Sequence, residues 1–547
     1  MEKIKNNRHT KTILLILLFI VFLFLRLFVS YDTTFLAADH VKFLDLAQNF
    51  PYHTSLNYQL YLIHPPFYPY LIHFVTLFVG YDYIAAILIS LISAGMLFFL
   101  VYKLFMMLAD NFLITFTVLI LLTLSVDFVI ASNTVLRESF VVTLLLSTLY
   151  FYVKGIKFGN KSSMIVAGVL GFLSAFTTDH ALLLLPAFVV TYIFFRNKKT
   201  SIAISLLPII LTSLFIGSWT LIKFYQYSTN EYYPSGLEGA PVSTKNLGIA
   251  AILNTHYFKD YEPNLPSGFT RIRDYAYRLG YMFNIVPFSI PRGLDFTSIE
   301  YLLLPKHIVY MIILYLPFAL TALFGFLIIL RDFIKRKNIH NNFNLYIIAL
   351  FLIFISLITR RDSSPRYIYT AYIFLFYFIG YGLFTLLKKV KKIRRLKSYN
   401  NLILIAVILL LLLTPFWYYN NPNFVLLTKK FVAVSKTADF INKNIASEDA
   451  IMAQAGYGET LSYQIGSRIL GLPPKSENLL KMINYYNVSY VLYGKIYTFD
   501  RYHYAKDSVD FIRDHPERFK LIAAINEDYG NLRRTNKDEI YIYKVRR

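Results

Sequence analysis

Long apolar runs alternate with short basic segments along almost the whole chain, and this alternation limits the folds open to it more than any other feature. Runs of about 16–28 residues, enough to cross a hydrocarbon core about 30 Å thick, lie near 12–30, 82–108, 112–131, 136–154, 162–178, 180–195, 200–222, 303–330, 343–359, 366–387 and 401–419. That gives roughly eleven spans, read as transmembrane helices. The composition agrees: 56% of the 547 residues are hydrophobic and 16% charged, against about 25% charge in an average soluble domain. A net charge of +23 raises the question of nucleic acid, and its distribution answers it. About 21 of the Lys and Arg fall in the segments 1–11, 154–161, 196–199, 331–337 and 388–397 between the runs, where Glu2 and Asp332 are the only acids. This is positive-inside topology, not a nucleic-acid surface.

The first run follows Lys3, Lys5, Arg8 and Lys11. It is read as a retained helix because it is long and no small-residue cleavage site follows. With the N-terminus in the cytoplasm, an odd number of spans puts residues 420–547 outside, so the chain divides into a membrane module, 1–419, and a tail, 420–547. The outside also receives the loops 31–81 and 223–302, whereas no cytoplasmic loop exceeds about 13 residues. The chemistry is therefore expected on the outer face. No Gly-rich phosphate loop is present, which argues against nucleotide triphosphates and nucleotide sugars as substrates, and an activated donor would most simply arrive attached to a membrane lipid. The chain has no cysteine, which excludes disulfides, thiolate metal sites and a cysteine nucleophile.

In the tail, amphipathic helical patterns near 429–444 and 478–487 alternate with strand-like runs at 450–454, 488–493, 519–525 and 538–543. A small α/β domain is expected there. The loop 223–302 is rich in Tyr, Pro, Gly and Arg, residues suited to stacking on sugars and equally to an interfacial aromatic belt.

Polar residues at the outer ends of spans are the candidates for chemistry. Asp39, in Ala37-Ala38-Asp39-His40, follows the first span by a few residues; partial desolvation there can raise a carboxyl pKa and make it a base. The same residue also fits a helix N-cap ahead of an apolar pattern at 43, 44, 46 and 47. His64 precedes Pro65-Pro66, which forces it into an extended conformation and pre-sets a helix start. It could meet a lipid phosphate, or simply mark a turn. The connection Thr359-Arg360-Arg361-Asp362-Ser363-Ser364-Pro365-Arg366 puts three guanidiniums on the outer face, against the positive-inside bias. Guanidiniums suit bidentate phosphate binding, and also general lipid head-group contact or pairing with Asp362.

These motifs, taken in order, resemble the GT-C superfamily of membrane glycosyltransferases, in particular the protein O-mannosyltransferase and aminoarabinose-transferase branch. The resemblance rests on Ala38-Asp39-His40, on His64-Pro65-Pro66-Phe67-Tyr68-Pro69, on Arg137-Glu138 and on the Gly171 to Thr178 stretch before Leu182 to Pro186. It extends to Ser364-Pro365-Arg366-Tyr367, and in the tail to Ala438-Asp439-Phe440-Ile441 and Tyr490-Val491-Leu492-Tyr493. It implies that Asp39 is the catalytic base, that Glu138 and Arg137 belong to the active site, and that His64 and Arg366, with Arg361 beside it, contact the donor phosphate. For Arg137 and Glu138 an interfacial salt bridge or an ordinary helix-start charge is the alternative.

Two departures qualify the carry-over. Where many relatives carry Lys or Arg, this chain has Thr178-Asp179-His180, so that Asp179 and His180 read either as a substituted substrate site or as a polar hairpin tip. His40, another possible substrate contact, stands where oligosaccharyl transferases have a second, metal-binding acid. The resemblance implies transfer of a sugar, hexose or pentose, from a polyprenyl- or dolichyl-phosphate donor to a hydroxyl of a protein, lipid or glycan acceptor, with inversion. It requires no cofactor and leaves a divalent ion open. A transporter or lipid flippase is the rival, and would show polar or broken helices at the bilayer midplane and repeated halves. A noncatalytic receptor built around the tail is a third class.

Overall fold

In the computed structural model the described residues are 8–31, 43, 44, 46–48, 65–135, 137–195, 202–228, 316–336, 343–356, 368–390, 432–454, 461, 464, 465, 469–473, 476–495, 506–528 and 537–546. The apolar runs become helices α1 (Arg8–Tyr31), α3 (Asp82–Ala109), α4 (Phe112–Leu124), α5 (Val126–Ser132), α6 (Glu138–Phe158) and α7 (Lys161–Ala175). A 3₁₀ turn (Asp179–Leu183) leads into α8 (Leu184–Phe195), and α9 (Ile202–Ser228), α10 (Leu316–Arg336), α11 (Phe343–Ile355) and α12 (Tyr369–Val390) follow. The 31–81 loop adds α2 (Phe67–Val79), which starts directly after Pro65-Pro66. Four described helices are long and apolar enough to cross a membrane, within α1, α3, α6 and α12. The run 401–419 and residues 303–315 lie outside the described residues.

Short turns fold consecutive helices into hairpins. Asp110, with φ 45°, ends α3, and the Asn111 side chain caps α4 by accepting from the N–H of Leu113 and Ile114 at 3.0 and 3.3 Å. Gly159, with φ 68°, ends α6 in a left-handed conformation that only glycine adopts without strain, and Asn160 caps α7. Helix α1 shows how each span divides its surface. Ile13, Ile16, Leu17, Ile20, Phe24 and Leu27 form an exposed apolar stripe, while Leu18, Phe22, Leu25 and Arg26 face the bundle. Such a stripe would be unfavourable in water and is what lipid contact requires.

The run at 112–131, expected as one span, is interrupted. Ser125 is extended (φ −66°, ψ 118°), and the chain restarts as α5. Hydroxyls join neighbouring helices elsewhere: Thr191 Oγ1 to Tyr346 Oη at 2.8 Å, Tyr152 Oη to Ser205 O at 3.2 Å and Tyr377 Oη to Asn344 Oδ1 at 2.5 Å.

The C-terminal residues form α13 (Val432–Asn444), β1 (Ala450–Ala453), β2 (Ile469–Gly471), α14 (Ser476–Tyr486), β3 (Val488–Lys495), α15 (Lys506–Asp514), β4 (Phe519–Asp528) and β5 (Lys537–Val545). The strands make one sheet in the order β2-β1-β3-β5-β4. Strand β1 runs parallel to β2 and β3, and β5 antiparallel to β3 and β4, with Leu492 opposite Ile542 and Tyr493 opposite Tyr541. Alternation fills both faces. Ile451, Ala453, Leu492 and Ile542 pack with Val434, Ala438 and Ile441 of α13, while Met452, Val491, Tyr493 and Tyr543 pack with Leu479 and Ile483 of α14 and Val509 and Ile512 of α15.

Helices α10 and α12 approach so closely that a Cβ on Gly325 would meet the Phe378 carbonyl, and one on Gly382 the Thr321 carbonyl. Gly325→Ala and Gly382→Ala are each expected to lower stability by about 1–3 kcal/mol through overpacking. Gly95→Ala, whose Cβ would enter open space, should be neutral or better; thermal unfolding in detergent compares the three.

Candidate functional site

The start of α2, the start of α6 and the end of α7 meet at one end of the bundle. Helix α2 opens at Pro66 (φ −84°, ψ −6°), and its first free N–H, that of Phe67, donates to Phe176 O at 3.0 Å, just beyond the last residue of α7. The Phe67 ring stacks with Phe176 and Phe140, centroids 5.8 and 6.0 Å away. The Pro-Pro motif is thus fixed against the Gly171 to Thr178 motif, two parts of the chain more than a hundred residues apart in sequence.

Between α5 and α6 the described backbone of 133–135 is not helical, and the carbonyls of Thr134 and Val135 take side-chain donors. Ser90 Oγ of α3 donates to Thr134 O at 3.0 Å, and Tyr68 Oη of α2 donates to Val135 O at 2.8 Å. Tyr68 is fully buried, edge-on to Phe43 at 5.3 Å. Ser139 Oγ then donates to Ser90 O at 3.2 Å and Thr143 Oγ1 to Ser93 O at 2.9 Å, tying the first turns of α6 to α3.

This brace delivers Arg137 and Glu138. Arg137 Nη1 donates to Thr177 O at 2.7 Å, and its guanidinium lies 5.6 Å from the centre of the Phe43 ring. Glu138 begins α6 and is 8% exposed, which buries a carboxylate at a helix N-terminus, where the peptide dipoles favour negative charge. Thr178 Oγ1 accepts from the His180 N–H at 3.2 Å and opens the 3₁₀ turn that carries Asp179 and His180. Near the same end, Tyr369 and Tyr372 of α12 pack on Phe128 of α5, with centroids 5.3 and 6.3 Å away.

The structure therefore brings together Arg137, Glu138, the Pro65-Pro66 corner and the Thr177 to His180 turn. Asp39, His40, His64, Arg361 and Arg366 lie outside the described residues. Their sequence neighbours Phe43, Pro65 and Tyr369 are described at the positions given above. Tyr68 and Ser90 were not legible as site residues, since a Tyr in an aromatic-rich helix and a Ser in an apolar one carry no signal of a carbonyl waiting for a donor. Basic side chains sit at the opposite end, with Lys157 Nζ donating to Met107 O at 2.9 Å and Lys11 5.6 Å from the Phe112 ring. Among the described residues no three His, Asp or Glu side chains converge as a metal site.

No sequence-family profile and no curated protein matches the chain. Solved structures do. ArnT from Cupriavidus metallidurans, in its apo state, superposes with a TM-score of 0.54 over 96% of this chain and 97% of its own, at 12% identity. The same protein bound to undecaprenyl phosphate gives 0.54 over 98% of each chain, at 11% identity. The archaeal oligosaccharyltransferase AglB from Archaeoglobus fulgidus, in complex with an inhibitory peptide and a dolichol-phosphate, gives 0.52 over 90% of this chain and 70% of its own, at 12% identity. This is the GT-C fold. ArnT matches nearly the full length of both chains, whereas AglB extends beyond the matched region.

Within the GT-C fold the brace around residues 133–137 predicts a measurable weakness. Tyr68→Phe removes the donor to Val135 O and leaves a buried carbonyl unsatisfied, a loss of about 1–3 kcal/mol. Tyr81→Phe, at an exposed position, should leave the thermal unfolding midpoint unchanged.

Proposed function

We propose that the chain is a glycosyltransferase that moves a sugar from a polyprenyl- or dolichyl-phosphate donor to an acceptor hydroxyl at the outer face of the membrane, with inversion at the anomeric carbon. The observation that carries this reading is the convergence of Arg137, Glu138, the Pro65-Pro66 corner and the Thr177 to His180 turn at one end of a bundle whose fold is shared with ArnT. One ArnT structure holds undecaprenyl phosphate, and AglB holds a dolichol-phosphate and a peptide.

In the proposed reaction the acceptor oxygen attacks the anomeric carbon and its proton passes to Asp39. The bond from that carbon to the phosphate oxygen breaks, and the lipid phosphate leaves with the electron pair. His64, Arg361 and Arg366 stabilise the charge that develops on the phosphate, and Arg137 adds a guanidinium at the same rim. Glu138, buried beside it, orients the acceptor or a bound cation, and His40, Asp179 and His180 contribute to the substrate surface. Low polarity around these groups strengthens each contact relative to water. No cofactor enters the scheme. The described apolar helices support an integral membrane protein; a cytoplasmic N-terminus and an extracytoplasmic tail complete the proposal.

Asn caps a helix about as well as Asp but cannot accept a proton, which separates the two roles of Asp39. Asp39→Asn should insert normally and lose roughly 100-fold or more in turnover, while Asp45→Asn stays active. An active Asp39→Asn enzyme would remove the base from this account. Sidedness has its own test, free of background because the chain has no cysteine. Ser447→Cys, at an exposed position in the tail, should react with an impermeant thiol reagent on intact cells, and Ser162→Cys, exposed at the start of α7, should not; the reverse pattern would invert the topology.

A further inference from the structure

Arg26 belongs to an apolar span and is only 1% exposed. A guanidinium in that setting persists only with partners, and its partners identify what it holds. Nη1 donates to Phe22 O of its own helix at 3.1 Å, and the guanidinium carbon lies 3.4 Å from the centre of the Phe22 ring. Nη2 donates to Leu122 O at 3.3 Å, and Nε donates to Ser132 Oγ at 3.1 Å.

The last two acceptors lie on opposite sides of the break at Ser125. In an unbroken helix Leu122 O would accept from the N–H of Val126; the extended Ser125 ends that ladder, and Arg26 supplies a donor in its place. Ser132 ends α5, and its hydroxyl donates a hydrogen bond to Phe128 O at 2.5 Å. One planar fork thus joins the end of α4 to the end of α5. Lysine has three donors on a single nitrogen and cannot reproduce the planar fork that reaches the two acceptors from separate nitrogens. From Ser132 the chain runs through Thr134 and Val135, held by Ser90 and Tyr68, directly into Arg137 and Glu138.

We infer that Arg26 is a positioning residue: it clamps the two halves of the broken span so that the connector 133–137 holds Arg137 and Glu138 in one place at the rim. The inference rests on the reading of those two residues given above, and Arg26 acts through them.

The test uses the full-length protein in lipid nanodiscs, as wild type, Arg26→Lys and Arg26→Gln. Hydrogen exchange followed by mass spectrometry should show faster exchange confined to residues 125–137, with α3 and the body of α6 unchanged. Unchanged exchange in 125–137, or an increase spread evenly over α1, α3 and α6, would overturn the clamp. The second readout is affinity for undecaprenyl phosphate. Arg26→Lys should weaken it by roughly 3- to 10-fold on its own, and by less than about 2-fold when Arg137 is already Ala, because two residues acting through one contact are not additive. Fully additive losses would show that Arg26 does not act through Arg137. Should the wild type bind neither undecaprenyl phosphate nor a dolichyl phosphate, the proposed function fails at that point, and the exchange pattern still decides the clamp by itself.

Discussion

Backbone carbonyls that lose their helical N–H partners inside a membrane have no water to turn to, and the architecture of one end of this bundle follows from where their replacement donors come from. Leu122 O takes Arg26, Thr134 O takes Ser90, Val135 O takes Tyr68, Thr177 O takes Arg137, and Phe176 O takes the first N–H of α2. Each donor comes from a different part of the chain than its acceptor. Satisfying the carbonyls therefore ties α1 to α4, α2 and α3 to the connector before α6, and α2 and the start of α6 to the end of α7. Arg137, Glu138 and the Thr177 to His180 turn lie next to these bonds.

The opposite end is built differently. Its turns are closed by local caps, Asp110-Asn111 and Gly159-Asn160, whose side chains or left-handed backbone satisfy the helix ends within a few residues. Lys157 adds a longer reach, from α6 to the Met107 carbonyl of α3, and Lys103 and Lys161 are exposed at the same end.

Much of this was legible from the sequence, for reasons that differ by element. The spans of α1, α3, α6 and α12 follow from run length, the start of α2 from Pro65-Pro66, and β1, β3, β4 and β5 from period-2 alternation between two apolar faces. The interruption at Ser125 was not, because one extended residue inside an apolar run leaves its hydropathy unaltered; Asp127, buried just beyond, was the available hint. Strand β2 has three residues, too few for a periodic signal, and α15 has nine, with Val509 and Ile512 as its buried apolar pair. Arg137 and Glu138 were found through their motif. Arg26 was passed over among leucines and phenylalanines, although an arginine in such a run is itself a warning that something polar is being held.

The order of the sheet sets a condition on biosynthesis. Strand β5 lies between β3 and β4, both of which precede it in the chain. A nascent polypeptide halted before residue 537 carries every described membrane helix yet leaves β3 and β4 without their shared neighbour, each with an open edge. Pairing across such separations is slow, because the intervening chain must be gathered before any bond rewards it. The sheet can therefore close only after synthesis has passed residue 545, and its closure marks a translation product in which all the described helices have already been made.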